Sequence, residues 1–370
     1  MTAASPAAAP PGIPPPPPYS HDRALLFACG AGVPMLAALA LAQPGVALFA
    51  CMGGVMALQT DPRRSIHVRV VSVIVALALI LGAGTLGAAL QHDPMAMKVA
   101  VVGIAFLAGL PKPFFPYLTL VGKICAAVAI VTSTGIAATG DAAVAFVAGG
   151  IFALLVGVLL TLWRDRQAKG MTPYDEVQAL LAGDCNPLFY AITLAATVAL
   201  AMVVADAMHA KLPGWVGLTV LFVMHPDDAI ALKLMTQRIG GTLVGIVIAG
   251  IVVHFVHGQW ILAALSIAMV ALLPKATAVN YFWMSTVFTT LVMLLLDLAL
   301  LATGGDASLL LWRFYDTVLG CLVAGAVLLT LYGNHRWHEK RTGRTRKSGD
   351  NDADPPDVPE AATGGEGPHL

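Results

Sequence analysis

The amino-acid sequence predicts an all-α polytopic membrane protein of about 12 transmembrane helices, arranged as two parallel six-helix repeats. Three observations carry this prediction. Of the 370 residues, 58% are hydrophobic and 11% charged, with a mean hydropathy of +0.80, against about 45–50% apolar and about 25% charged in soluble proteins. No water-soluble core absorbs that much apolar surface, which excludes a secreted enzyme, a cytosolic globule and a nucleic-acid binder. Apolar runs near the length of a membrane span recur from residue 24 to residue 332 with only short polar breaks. Finally, residues of the first half reappear in the second at an offset of 169.

Residues 1–22 hold eight of the 24 prolines, with Pro14 to Pro18 consecutive. Such a stretch forms no packed element and is read as a disordered cytosolic tail. It has neither the basic start nor the short apolar core of a signal peptide, so it is expected to be retained. The first membrane repeat then occupies 23–163, with apolar runs at about 24–42, 45–60, 67–90, 95–110, 114–138 and 141–163. A spanning helix needs ~20 apolar residues at ~1.5 Å each. The second run is short, as are the eighth and tenth of the whole chain, and tilt or partial spans accommodate them.

A cytosolic linker follows at 164–186. Thr172-Pro173-Tyr174-Asp175 supplies an N-cap, a proline at the first helical position and an acid at the third, and Gly183 ends about ten residues of helix. Its apolar residues Tyr174, Val177 and Leu181 share one face, as in helices that lie on a protein or on headgroups. The second repeat occupies 187–333, with runs at about 187–207, 212–225, 237–257, 259–273, 277–302 and 307–332. A basic segment, then an acidic Asp/Pro/Gly segment, makes 334–370 a second disordered tail.

With the N-terminus inside, 17 of the 21 basic residues fall on the cytosolic side. The four others are Lys98 and Lys211 near the outside, and Lys123 and Arg313 within spans. This satisfies the positive-inside rule and makes both termini cytoplasmic. Pro44-Gly45 and Pro213-Gly214, Arg69 and Arg238, and Val158-Leu-Leu-Thr-Leu-Trp163 and Val327-Leu-Leu-Thr-Leu-Tyr332 are all 169 residues apart. Leu110-Pro111-Lys112 and Leu273-Pro274-Lys275 match at 163. Six spans per half is an even number, so the halves share one orientation, and in parallel repeats the substrate path lies between them.

An ionisable side chain at mid-membrane costs ~2.5–3.5 kcal/mol or more, so each needs a partner or a path to water. Lys123 lies about 13 Å into the fifth run by the helix rise, where it either binds an anion or satisfies a helix-end carbonyl. Arg313 and Asp316 share a helix face at i,i+3 and either neutralise each other or serve transport. Asp297, near the outer end of its run, and Asp316 are the carboxylates available to handle protons. Asn280, Tyr281, Thr286 and Thr290 give the eleventh run a polar and aromatic density suited to a flat ligand; packing between helices through hydroxyls is the other reading. His254 and His257, three apart, lack a third ligand for a metal. The five cysteines are scattered with no CxxC, and no HExxH or P-loop occurs. Thr303 precedes Gly304-Gly305-Asp306, so GxGD is not met. No enzyme, cofactor or metal is expected.

Arg238-Ile-Gly-Gly-Thr-Leu-Val-Gly245, then Asn280-Tyr281, then Arg313-Phe-Tyr-Asp316-Thr317-Val-Leu-Gly320 together resemble the fusaric acid resistance (FUSC) and aromatic acid exporter family of bacterial inner-membrane proteins. The motif residues are Arg238, Gly241, Thr242, Gly245, Arg313, Asp316, Thr317 and Gly320. The first half fits as a decayed copy, keeping Arg69 without the following Gly-Thr-x-x-Gly. Read on its own, Arg238 anchors at the cytosolic headgroups, while Gly241 and Gly245 admit a neighbouring helix. The resemblance implies efflux of small aromatic organic acids, driven by a proton or charge gradient, with a periplasmic membrane-fusion protein as partner. A homo-oligomer is compatible with it. Lys123 and Arg313 would attract the carboxylate, and Asn280, Tyr281, Thr286 and Thr290 would meet the ring. A passive organic-anion channel and a non-transporting envelope scaffold remain as alternatives.

Overall fold

The computed structural model describes residues 21–111, 115–134, 140–164, 172–182, 188–210, 213–256, 258–300 and 312–330. Thirteen helices and no strand occur among them. They are α1 (His21–Ala40), α2 (Pro44–Gln59), α3 (Ile66–Ala89), α4 (Pro94–Gly109), α5 (Pro116–Thr132), α6 (Gly140–Arg164), α7 (Pro173–Ala182), α8 (Leu188–Ala207), α9 (Pro213–Val223), α10 (Asp228–Phe255), α11 (Gln259–Val279), α12 (Tyr281–Leu300) and α13 (Trp312–Thr330). The tail at 334–370 lies outside the described residues, as does the tail at 1–22 save His21 and Asp22, which open α1. Lys112, Cys185, Lys211, His257 and the segment Thr303 to Asp306 also lie outside them. The chain divides into a unit of residues 1–326 and one of 327–370, of which residues 327–330, all helical, are described.

Eight helices are long and apolar enough to cross a membrane: α1, α3, α6, α8, α10, α11, α12 and α13. The apolar helices α2, α4, α5 and α9 are shorter, and α9 has only 11 residues, about 16 Å of rise. This is a multi-pass membrane protein, and each of the twelve expected apolar runs holds one of these helices.

Four boundaries differ from the sequence expectation; α5 ends at Thr132 instead of 138, and α12 starts at Tyr281 instead of 277. Helix α10 starts at Asp228, well before the expected 237, because Asp227 caps it by accepting the amides of Ala229 and Ile230. Helix α11 runs through Pro274 to Val279 instead of ending at 273. A proline within a membrane helix is tolerated where hydroxyls take up freed backbone groups, and the Thr277 hydroxyl donates to the Leu273 carbonyl at 2.8 Å.

In the first half, α1 packs on α2, α3 on α5, and α4 on α5; in the second, α8 packs on α9, α10 on α12, and α11 on α12. Four further contacts, α1 with α11, α4 with α8, α2 with α12 and α5 with α9, join the halves. Helices α1 and α8 end alike. Ala42 and His209 adopt left-handed φ of 57° and 55°. The amide after each bonds five residues back, Gln43 to the Ala38 carbonyl and Ala210 to that of Ala205. That is a Schellman-type end made without the usual glycine.

Close packing relies on absent side chains. A Cβ on Gly53 would lie 1.9 Å from the Phe146 carbonyl oxygen, and one on Gly149 would lie 2.0 Å from that of Ala50. Helices α2 and α6 therefore touch backbone to backbone, as small residues permit in lipid. Linker helix α7 has the expected capping box: the Asp175 amide donates to the Thr172 hydroxyl, and Asp175 Oδ2 accepts the Thr172 amide. Its buried Glu176 accepts the amides of Tyr117 and Leu118 at the start of α5. Tyr174, Val177 and Leu181 face outward.

Candidate functional site

The site grows from the contact of α10 with α12. A Cβ on Gly241 would meet the Phe282 carbonyl oxygen at 2.5 Å, and one on Gly245 that of Thr286 at 2.8 Å, so the motif glycines bring the two backbones together as expected. Thr290 Oγ1 donates to the Gly245 carbonyl at 3.2 Å across the same seam. This approach encloses Arg238, which is 3% exposed. Its Nη1 reaches Ser285 Oγ at 3.5 Å, Ser285 lies 3.4 Å from the Thr242 hydroxyl, and its Nε has no hydrogen-bond partner among the described residues.

The expected anchoring of Arg238 at the headgroups is therefore corrected. Because α10 begins ten residues earlier, Arg238 is carried about 15 Å along the helix and turned against α12. Arg69, its counterpart by sequence offset, is also buried but fully engaged. Its Nε pairs with Asp61 at 2.8 Å, and its Nη1 donates to the Gly157 carbonyl and to Thr161.

Helix α13 brings the remaining charges. A Cβ on Gly320 would lie 2.7 Å from Thr219 Cβ and 2.8 Å from the Val216 carbonyl oxygen, so α13 lies directly on α9. Arg313 places its guanidinium 4.0 Å from the centroid of the Trp215 ring on α9. A desolvated arrangement of this kind is worth about 2 kcal/mol. Asp316 is 1% exposed, yet neither carboxylate oxygen accepts a hydrogen bond among the described residues, and Arg313 Nη1 donates none. The i,i+3 neighbours do not close as an ion pair, since the aromatic face holds the guanidinium instead. Tyr281, whose buried hydroxyl also lacks a partner, lies within electrostatic reach of both arginines, and Arg313 within reach of Arg238 and Asp316.

The other expected residues separate from this cluster. Lys123 is buried on α5 with its ammonium 5.8 Å from the Phe222 centroid. Phe222 and Trp215 are on the same short helix, seven residues and so about 10 Å apart. Asn280 is exposed and uses its side-chain oxygen to accept the Trp283 amide, capping α12. The Thr286 hydroxyl donates to its own helix at Phe282, and that of Thr317 to Arg313. These hydroxyls, with that of Thr290, bond backbone carbonyls of Phe282, Arg313 and Gly245. Asp297 is half-buried, sixteen residues along α12 from Tyr281, about 24 Å away. Among the described residues no group of three His, Cys, Asp or Glu is placed to hold a metal.

Trp215 was not anticipated, although an aromatic just after Pro213-Gly214 in an unusually short run was its available signal. The arrangement offers a guanidinium fork with spare donors, a tyrosine hydroxyl and an indole face. Forked donors match a planar carboxylate, and the rings suit a flat apolar body.

Residues 200–327, which contain Trp215, Arg238, Tyr281, Arg313 and Asp316, match the family described as fusaric acid resistance protein-like. Over this segment, about a third of the chain, the sequence is similar to that family. It is 29% identical over 161 residues to the uncharacterized protein YhfK of Escherichia coli (strain K12), a match covering 42% of this chain and 21% of that protein. It is 28% identical over 148 residues to the uncharacterized protein ORF2 of Neisseria gonorrhoeae, covering 40% of this chain and 35% of the relative. The chain thus spans about a fifth and about a third of the relatives it matches. No solved structure matches. The FUSC-like segment runs from α8 into α13 and includes every residue of the buried cluster.

Proposed function

We propose that this FUSC-like protein exports small aromatic or related organic acids across the bacterial inner membrane, drawing on the proton or charge gradient. The observation that carries the proposal is the cluster of Arg238, Tyr281, Arg313 and Asp316, in which Arg238 Nε, the Tyr281 hydroxyl, Arg313 Nη1 and both Asp316 carboxylate oxygens have no hydrogen-bond partner among the described residues. Ionisable groups are too costly in a bilayer to be left unmatched without a use. The substrate carboxylate takes the spare guanidinium donors, its ring lies against Trp215 and Tyr281, and Asp316 carries the exchanged proton. Lys123 of α5, over Phe222 of α9, is a second cationic station against the same short helix. An 11-residue helix of this kind resembles the discontinuous helices around which transporters build midplane sites.

The finer architecture belongs to the same proposal. All twelve apolar helices cross, both termini are cytoplasmic, and the halves are parallel repeats. The recurring pairs (α1–α2 with α8–α9, α3–α5 with α10–α12, α4–α5 with α11–α12), the reciprocal α1–α11 and α4–α8 contacts and the matching ends of α1 and α8 support this. A periplasmic membrane-fusion protein is the partner such an exporter requires in a two-membrane envelope.

The test is efflux of hydroxybenzoic and fusaric-type acids from loaded cells, with and without an uncoupler. Arg313→Ala and Trp215→Ala are each expected to reduce efflux about tenfold or more, matching loss of the cation–π contact. Unchanged efflux in variants that remain folded would show that the cluster is not the binding site. Efflux that persists with the uncoupler and follows only the anion's own gradient would make the protein a channel.

A further inference from the structure

The ends of α3, α4, α5, α8 and α9 surround a cavity of about 240 Å³. These five ends lie on the face that the basic-residue distribution assigns to the outside. Lys98 on α4 and Asp206 on α8 join as an ion pair at its wall, with side chains 22% and 38% exposed. Met97, Ile130 and Met202 supply apolar lining, and Trp215 closes the side toward the cluster. The same indole carries Arg313 at 4.0 Å, and its buried Nε1 has no hydrogen-bond partner among the described residues. One residue, Trp215, thus belongs to both the cavity lining and the buried cluster.

We propose that this cavity is the outer vestibule of the anion route, binding a single-ring carboxylate, and that Lys98–Asp206 is its gate. The proposal rests on the export reading and adds a second site to it. The volume is below the ~300–1,000 Å³ of sites for drug-sized ligands, which fits one ring-sized acid. Lys98 is the cation on the lining, and its carboxylate partner is already the chemical group the substrate presents. A partly exposed pair holds weakly, so a substrate carboxylate takes the place of Asp206 on the ammonium. The ring of the acid then lies among Met97, Ile130 and Met202 on Trp215. Movement around that indole passes the anion between Lys98 and Arg313.

Cysteine accessibility tests this in the full chain, with the native cysteines replaced by alanine. Met202→Cys reports from the lining, and Thr134→Cys is a second reporter position on the same wall. In an Asp206→Asn background, which leaves the Lys98 ammonium without its carboxylate, an anionic methanethiosulfonate reagent is expected to react about tenfold faster than a cationic one, as a local positive charge concentrates anions. Benzoate, used as the probe ligand, slows the reaction. Lys98→Gln abolishes both effects, Lys98→Arg keeps both, and Asp206→Asn raises the labelling rate by opening the gate. Equal rates for the two reagents, no slowing by benzoate, or the same behaviour in Lys98→Gln as in the parent would each overturn the vestibule. Benzoate protection in a protein that exports no acid would keep the site and remove the export reading. Normal export without protection would do the reverse.

Discussion

Arg69 and Arg238 occupy matching sequence positions and are equally buried, yet their surroundings give them opposite roles. The Nε and Nη1 of Arg69 both end on acceptors: Asp61, the Gly157 carbonyl and Thr161. Removing it leaves Asp61, whose side chain is 7% exposed, as a buried carboxylate without its cation. Arg69→Ala is therefore expected to destabilise the protein by about 3–5 kcal/mol, read as a lower unfolding midpoint in detergent. Arg238 reaches one hydroxyl, that of Ser285 at 3.5 Å, and keeps a bare Nε. Arg238→Ala removes a desolvated charge that little compensates, so the expected stability change is under about 1 kcal/mol, with efflux reduced about tenfold. A variant pair with the reverse pattern would assign Arg238 to structure. The motif marked Arg238 in the sequence, but its depth was hidden. Distance from the last polar loop stood in for depth, and the Asp227 cap starts the helix nine residues sooner than hydropathy suggests. Arg313 and Asp316 show the same limit, because i,i+3 spacing states who shares a face and is blind to a ring on another helix.

Helix contacts set a sharper contrast among glycines than their sequence surroundings do. Gly82 and Gly103 have nothing within 4 Å of a Cβ, whereas Gly53 and Gly149 face carbonyl oxygens at 1.9 and 2.0 Å. All four are helical, so alanine gains up to about 1 kcal/mol of helix propensity at each. Gly82→Ala and Gly103→Ala are expected to raise thermal stability. Gly53→Ala and Gly149→Ala instead separate α2 from α6 and are expected to cost about 1–3 kcal/mol, seen as a lowered midpoint or lost expression. In α7, burial pushes the Glu176 carboxyl above the ordinary carboxylate range, outweighing the two amides that pull it down. The docked helix then binds a proton more readily than the free one, so docking on α5 strengthens as pH falls through the raised pKa. It gains nothing more below the ordinary carboxylate range. Hydrogen exchange at the Tyr117 and Leu118 amides, corrected for intrinsic rate, is expected to slow across that interval in the parent and to show no such step in Glu176→Gln. The capping box at Thr172 was legible because it is local in sequence, whereas the bond from Glu176 to α5 joins elements nearly sixty residues apart and left no pattern to read.

Across the whole molecule, composition and run length made the membrane class and the twelve apolar helices legible, since both are set by the solvent and not by partners. Whether every helix crosses is a separate matter, because α2 and α4 have 16 residues each, about 24 Å of rise against a hydrocarbon core of about 30 Å. The two possibilities differ in parity. If all twelve cross, the segment between α2 and α3 lies with the N-terminus and that between α3 and α4 lies opposite. If only the eight long helices cross, α2 dips in and returns, and both segments change sides. The first arrangement keeps Arg63, Arg64 and Arg69 at the cytoplasmic side, and local thinning of the bilayer accommodates the shortfall at a fraction of a kcal/mol per Å. Single cysteines at Arg64 and at His92, in a chain cleared of its native cysteines, decide between them. With a membrane-impermeant maleimide added to intact spheroplasts, His92→Cys is expected to label and Arg64→Cys to label only after lysis. The opposite result would place Lys98, Asp206 and their cavity on the cytoplasmic face, turning the proposed vestibule from an exit into an entrance.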